Sequence, residues 1–180
     1  TTVHEALQPA IRYTKEECLD LPDMVYVARE VPLTAQQNKY YKEVQTMMRT
    51  AAAGEDVTAA NAAIVMNKLL QIAGGAVYTD SGEALEFDIT HRYKVLKEVI
   101  DEATKKVIVF VPFKHAIDLL SIKLKNDGVS TEIIRGDVTL TNRTDRFKRF
   151  QTEADPKVLI IQPQSAAHGV TLTAADTIVW

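Results

Sequence analysis

The chain has 180 residues, 46% hydrophobic and 25% charged, with a formal net charge of -3, a composition that fits a globular domain and excludes a disordered tail. No apolar run reaches the roughly 20 residues that cross a bilayer, and TTVHEALQPA lacks the basic start and apolar centre of a secretory signal. One cysteine, Cys18, excludes an intramolecular disulfide and a cysteine-based zinc site, and the acidic balance argues against coating nucleic acid by bulk charge. A cytoplasmic protein with no membrane partner is expected, and any contact with nucleic acid must be local.

In chain order, MVYVAREVPL is predicted as a short strand, with Val25, Val27 and Val31 at strand period. Thr34 opens a helix as an N-cap, with Gln37 three residues on as in a capping box and Tyr40, Val44, Met47 and Met48 at helical spacing. The small, polar AAAGEDVTAAN reads as a loop. A second helix is predicted from Ala59 to Ala73, burying Ile64, Met66, Leu69 and Leu70 and stopping on Gly74-Gly75. YTDSGEALEFD carries two turn signals and reads as a linker or a weak hairpin. From Arg92 the pattern changes: a helix with Leu96, Val99, Ile100 and Ala103 precedes strand KKVIVFV. A helix around Ile117, Leu120 and Leu124, strand TEIIR, helix TNRTDRFKRF, strand KVLIIQ, a small-residue loop and strand DTIVW complete the chain. Continuous apolar strands alternating with helices predict a parallel sheet covered on both faces. The predicted domains are an inter-lobe segment, 1–33, a helical insertion and linker, 34–90, and an α/β lobe, 91–180. The chain starts without Met and stops on Trp180 in what reads as a strand still in progress, so a piece of a longer protein is expected.

Several chemistries are excluded by their motifs. None of the seven glycines is followed by Lys, so the phosphate-cradling G-x-x-x-x-G-K-[ST] loop is absent. Asp101-Glu102-Ala103-Thr104 imitates a metal-binding acidic box, but its flanking apolar residues keep helical spacing, which makes it a solvated helix end. His4, His91, His115 and His168 are scattered without metal-ligand spacing. Ser165, His168 and Asp176 could be drawn as a hydrolytic triad, but no nucleophile elbow surrounds the serine. Phe147 and Phe150 read as core anchors of a helix whose Arg143, Arg146, Lys148 and Arg149 form a basic face.

The loops after the first three predicted strands of the lobe open on one sheet edge, where open parallel sheets bind ligands. They hold Pro112-Phe113-Lys114-His115, then Gly136-Asp137-Val138-Thr139, then Gln162-Pro163-Gln164-Ser165-Ala166-Ala167-His168-Gly169. Thr139 can cap the next helix and leave its N–H groups facing an anion. In this order KVIVFVPFKHAIDLL, IIRGDVTLTNRTDRFKRFQ and VLIIQPQSAAHGVTLTAADTIVW resemble motif IV, the following block and motif V of the second RecA-like lobe of superfamily 2 helicases, in their Swi/Snf branch. LTAADTIVW is the most specific match, and CLDLPDMVYVAREVPLTAQQNKYY with NKLLQIAGG resembles that branch's inter-lobe segment. Gln162-Pro163 stands where many members have Ser-Thr, Ala166-Ala167-His168 replaces a Gly-Gly-Leu type sequence, and Thr171 replaces Asn, a drift similar to that of phage-encoded or bacterial relatives.

The resemblance implies a RecA-like lobe of an ATP-dependent helicase or translocase, with ATP and Mg²⁺ held mainly by a first lobe absent from this chain. It places Gly169, Val170 and Thr171 on the ATP side. Lys114, Gly136, Thr139, Arg143 and Gln164 would face nucleic acid, with double-stranded DNA the expected partner. Motif VI, with its paired arginines, belongs after the next loop; such an arginine contributes about 10³ to 10⁵ in rate. No catalytic residue and no metal ligand is therefore expected here. The competing readings are a small-ligand α/β enzyme such as a nucleotide-sugar transferase, which needs convergent carboxylates and has only Asp137 and Asp176 to offer, and a non-catalytic α/β interaction module.

Overall fold

The computed structural model describes residues 13, 24–54, 59–79, 82–166 and 170–180. The chain divides into two units, Thr1–Glu30 and Val31–Trp180. In the first, residues 24–30 form no strand, and Val25 and Val27 are exposed, which corrects the strand expected there. Alternation specifies a strand only when a neighbouring strand takes up the backbone N–H and C=O groups, and no ladder among the described residues includes this segment.

Helix α1, Ala35–Gly54, starts where its capping residues dictate: Thr34 N–H donates to Gln37 Oε1 at 3.1 Å and Gln37 N–H to Thr34 Oγ1 at 3.3 Å. It runs through Ala51–Gly54, beyond the expected boundary, because three consecutive alanines carry the highest helix propensity. Helix α2, Ala59–Gly74, pairs with α1, and Gln37 Nε2 donates to the Ile72 carbonyl at 2.9 Å. Leu69, Gln71 and Ile72 are its buried residues, whereas Ile64, Met66 and Leu70 are more than half exposed, contrary to expectation. Periodicity located the helix but not the side its neighbours cover. The linker is a hairpin: β1, Ala76–Tyr78, pairs antiparallel with β2, Ala84–Glu86. Tyr78 stacks on His115 at 5.3 Å between ring centroids.

Helix α3, Thr90–Glu102, leads into the lobe and ends at the acidic decoy, where Asp101 pairs with Lys97 on the same helix. Strands β3, Lys106–Phe110, β4, Thr131–Ile134, β5, Val158–Ile161, and β6, Ala175–Val179, form a parallel sheet in the order β4-β5-β3-β6. Helices α4, Lys114–Asn126, and α5, Leu140–Thr152, connect them. Strand period decides which layer each residue joins. Val107, Val109, Val158 and Ile160 face Ile100 of α3 and Ile117, Leu120 and Leu124 of α4; Ile108, Leu159, Ile161 and Ile134 face Phe150 of α5. Both faces are covered, as the continuous apolar runs predicted, giving the α/β/α layering of a RecA-like lobe. Each fully buried aliphatic side chain contributes about 1.5–3 kcal/mol. Among the described residues no helix is long and apolar enough to cross a membrane.

Candidate nucleic-acid interface

The register brings the strand ends level: Phe110 and Ile134 both lie opposite Ile161. The loops after β3, β4 and β5 therefore leave from one edge, as expected of the ligand-binding side of a parallel sheet. On that edge Lys114, Gly136, Thr139 and Gln164 are exposed. Thr139 caps α5, its side chain accepting the Asn142 N–H at 3.4 Å. Helix dipole and unpaired N–H groups make such a terminus receptive to an anion.

The remaining polar groups hold the loops rather than face outward. Arg135 Nη1 contacts Asp118 Oδ1 at 2.5 Å and its Nε contacts Asp137 Oδ1 at 2.8 Å. Burial disfavours the guanidinium charge, but the hydrogen bonds and charges of Asp118 and Asp137 outweigh it and raise the pKa of Arg135. Arg143 Nη1 donates to the Ser165 carbonyl at 3.0 Å and Nη2 to the Val138 carbonyl at 3.2 Å, while its Nε is buried without a partner. On the helix's basic face, Glu132 takes up Arg146 and Arg149.

From Ser165 the return segment is fastened at its far end to Gln151, which donates to Thr173 Oγ1 at 2.6 Å and accepts the Ala174 N–H at 3.1 Å. Val170 and Thr171 are exposed within it; Gly169 and His168 lie outside the described residues. Sequence reading missed Gln151 and the internal bonding of Gln162. The only available signal was that a long amide at position 162 stands where the resembled family commonly has a short hydroxyl.

The two carboxylates of the transferase reading do not converge. Asp137 is on the loop edge, whereas Asp176 is the second residue of β6, near the start of β3, where it accepts the Thr104 hydroxyl at 2.7 Å and the Lys105 N–H at 3.0 Å. A strand of this length separates the two edges by roughly 15 Å. Burial works against the Asp176 charge, but hydrogen bonds from Thr104, Thr177 and Lys105 outweigh it and hold the carboxyl below the usual aspartate range. The sign follows from linkage: a depressed folded pKa stabilises above the unfolded value of about 3.9 and that stabilisation is lost as pH falls through the folded value. Chemical denaturation across pH should show Asp176→Ala less stable than the parent at pH 7, with the gap narrowing below about pH 4; a pH-independent gap would rule out this role.

Residues 91–180 match the family described as helicase conserved C-terminal domain. That match covers half of the chain. The chain belongs to this helicase C-terminal family. An uncharacterised ATP-dependent helicase of Mycoplasma genitalium is 24% identical over 94% of this chain, and the CHD3-type chromatin-remodeling factor PICKLE of Arabidopsis thaliana is 23% identical over 98%. The chain spans 17% and 14% of those two proteins. Among solved structures, the Sulfolobus solfataricus SWI2/SNF2 ATPase core in complex with dsDNA is similar in fold, with a TM-score of 0.63 at 22% identity over 82% of this chain and 32% of that one.

Membership in a helicase family implies ATP and Mg²⁺, and the described residues do not compose a site for them alone. The chain has no phosphate-cradling loop, and the loop-edge carboxylates Asp118 and Asp137 are both engaged by Arg135.

Proposed function

We propose that this helicase C-terminal lobe is the second lobe of a Swi/Snf-type ATP-dependent DNA translocase or helicase, and that it holds the DNA backbone while a first lobe of the same protein supplies the phosphate loop. Residues 1–33 then form the inter-lobe segment and 34–90 a helical insertion with its linker. The observation that carries the reading is the levelled set of loops after β3, β4 and β5, which offers Lys114, Gly136, Thr139 and Gln164 on one edge. Such contacts engage phosphate and not base edges, so binding is independent of sequence and sensitive to salt. Arg143 serves the track indirectly, through the carbonyls it holds. The family resemblance assigns Gly169, Val170 and Thr171 to the nucleotide side, and of these Val170 and Thr171 are exposed. The dsDNA in the Sulfolobus structure favours duplex DNA as the track.

Two measurements test this. A longer protein that includes the upstream lobe should hydrolyse ATP faster with duplex DNA than without it, whereas residues 1–180 alone should give turnover indistinguishable from a blank. No stimulation by any nucleic acid would reject the reading, and turnover by the isolated chain would reject the division of labour between lobes. In the longer protein, Lys114→Ala should weaken duplex binding evenly across sequences and reduce the log–log salt slope by about 1. An unchanged slope would remove Lys114 from the phosphate track.

A further inference from the structure

The side chain of Gln162 reaches two loops from a third. Its Oε1 accepts the Gly136 N–H at 3.3 Å, its Nε2 donates to the Pro112 carbonyl at 3.3 Å, and its own backbone opens the loop after β5. The partners fix the amide's orientation, since the Gly136 N–H can only donate and the Pro112 carbonyl can only accept. The backbone adds to the arrangement, with the Gln162 N–H donating to the Ile134 carbonyl at 2.8 Å and the Ser165 N–H to the Gln162 carbonyl at 2.8 Å. Arg143 makes a second tie between two of these loops through Val138 and Ser165. A serine at position 162 has a single short hydroxyl and cannot span both Pro112 and Gly136.

We propose that Gln162 is a positioning residue that couples the loops after β3, β4 and β5 into one unit, so that a phosphate engaged by one loop finds the other two already in place. The proposal rests on the nucleic-acid reading for its ligand but not for its mechanics. Ordering the loops before binding removes an entropic cost from association. Because Gly136 and Pro112 are exposed, water can replace the lost bonds in a variant, so overall stability changes little and loop order changes much.

The test uses ¹⁵N relaxation on residues 1–180. In Gln162→Leu the order parameters of Lys114 and Gly136 should fall from about 0.85 toward 0.6, with Val109 and Ile160 unchanged as reporters of an intact core. Gln162→Glu retains an acceptor for Gly136 but cannot donate to Pro112, so it should loosen Lys114 and leave Gly136 ordered. In the longer protein, Gln162→Leu should weaken duplex binding about tenfold with an unchanged salt slope, because no cation is removed. Unchanged order at Lys114 and Gly136 in a folded variant would overturn the proposal, as would loosening of Gly136 alone in Gln162→Leu. If the parent protein binds no nucleic acid yet the loops loosen as described, the nucleic-acid reading fails and the tie stands. If duplex binding persists and the loops stay ordered in the variants, the tie alone fails.

Discussion

Replacing Phe150 with Ala is expected to lower the unfolding free energy by about 3–5 kcal/mol. Phe150 is fully buried, and it is the only α5 side chain that enters the core formed by Ile108, Ile134, Leu159 and Ile161 to that degree. Its ring also lies 5.0 Å from Lys106 Nζ, which donates to the Phe150 carbonyl at 2.7 Å. Truncation removes both the transferred apolar area and the contacts across the space left behind, and the flanking β4 and β5 ladders resist collapse into that space. For a chain of this size the loss corresponds to a drop in Tm of about 6–20 °C. Thermal or urea unfolding of the variant measures it, and a loss below about 1 kcal/mol would show that α5 is not anchored by this ring. The consequence extends beyond stability, because the same helix begins at the Thr139 cap and carries Arg143.

Gly75→Ala is the second change with a large expected effect. Gly75 joins α2 to β1 with φ +108°, where an L side chain is strained, and a Cβ there would collide with the Ile89 side chain. Ile89 is buried and immediately precedes α3, so it cannot give way without disturbing the entry to the lobe. Backbone strain of about 1–3 kcal/mol adds to an overpacking cost of about 1–3 kcal/mol. Gly82 supplies the control: its φ is +84°, but nothing lies within 4 Å of its Cβ position. Gly82→Ala should therefore show only the backbone part. Equal losses in the two variants, measured by denaturation, would show that Ile89 accommodates the added methyl group.

Much of the lobe is legible in the sequence because its strands are buried on both faces. VIVF, residues 107–110, and VLII, residues 158–161, are apolar at every position, so they specify a central parallel strand without needing a partner's identity. The Thr34–Gln37 capping box and the Thr139 cap are local bonds between residues three apart, visible in the chain before it folds. The order of the loops followed from the order of the strands. Where a residue's role depends on which neighbour arrives, local pattern was insufficient. Ile64, Met66 and Leu70 have the spacing of buried residues, but α1 and the hairpin cover the side of α2 that holds Leu69 and Ile72. Residues 24–33 alternate like a strand and join no ladder among those described.

By itself, then, the sequence determined the parallel α/β layering, the helix starts and the side of the sheet on which the loops open, since these depend on side-chain period, capping and strand order. Only the tertiary structure decided which polar groups are spent. It set Arg135 between Asp118 and Asp137, put Asp176 at the edge away from Asp137, and laid the Gln162 amide across Pro112 and Gly136. Those partners lie 17 to 72 residues apart except for Asp137; such pairings are fixed by where packed elements place the chain and not by any local preference of the residues that make them.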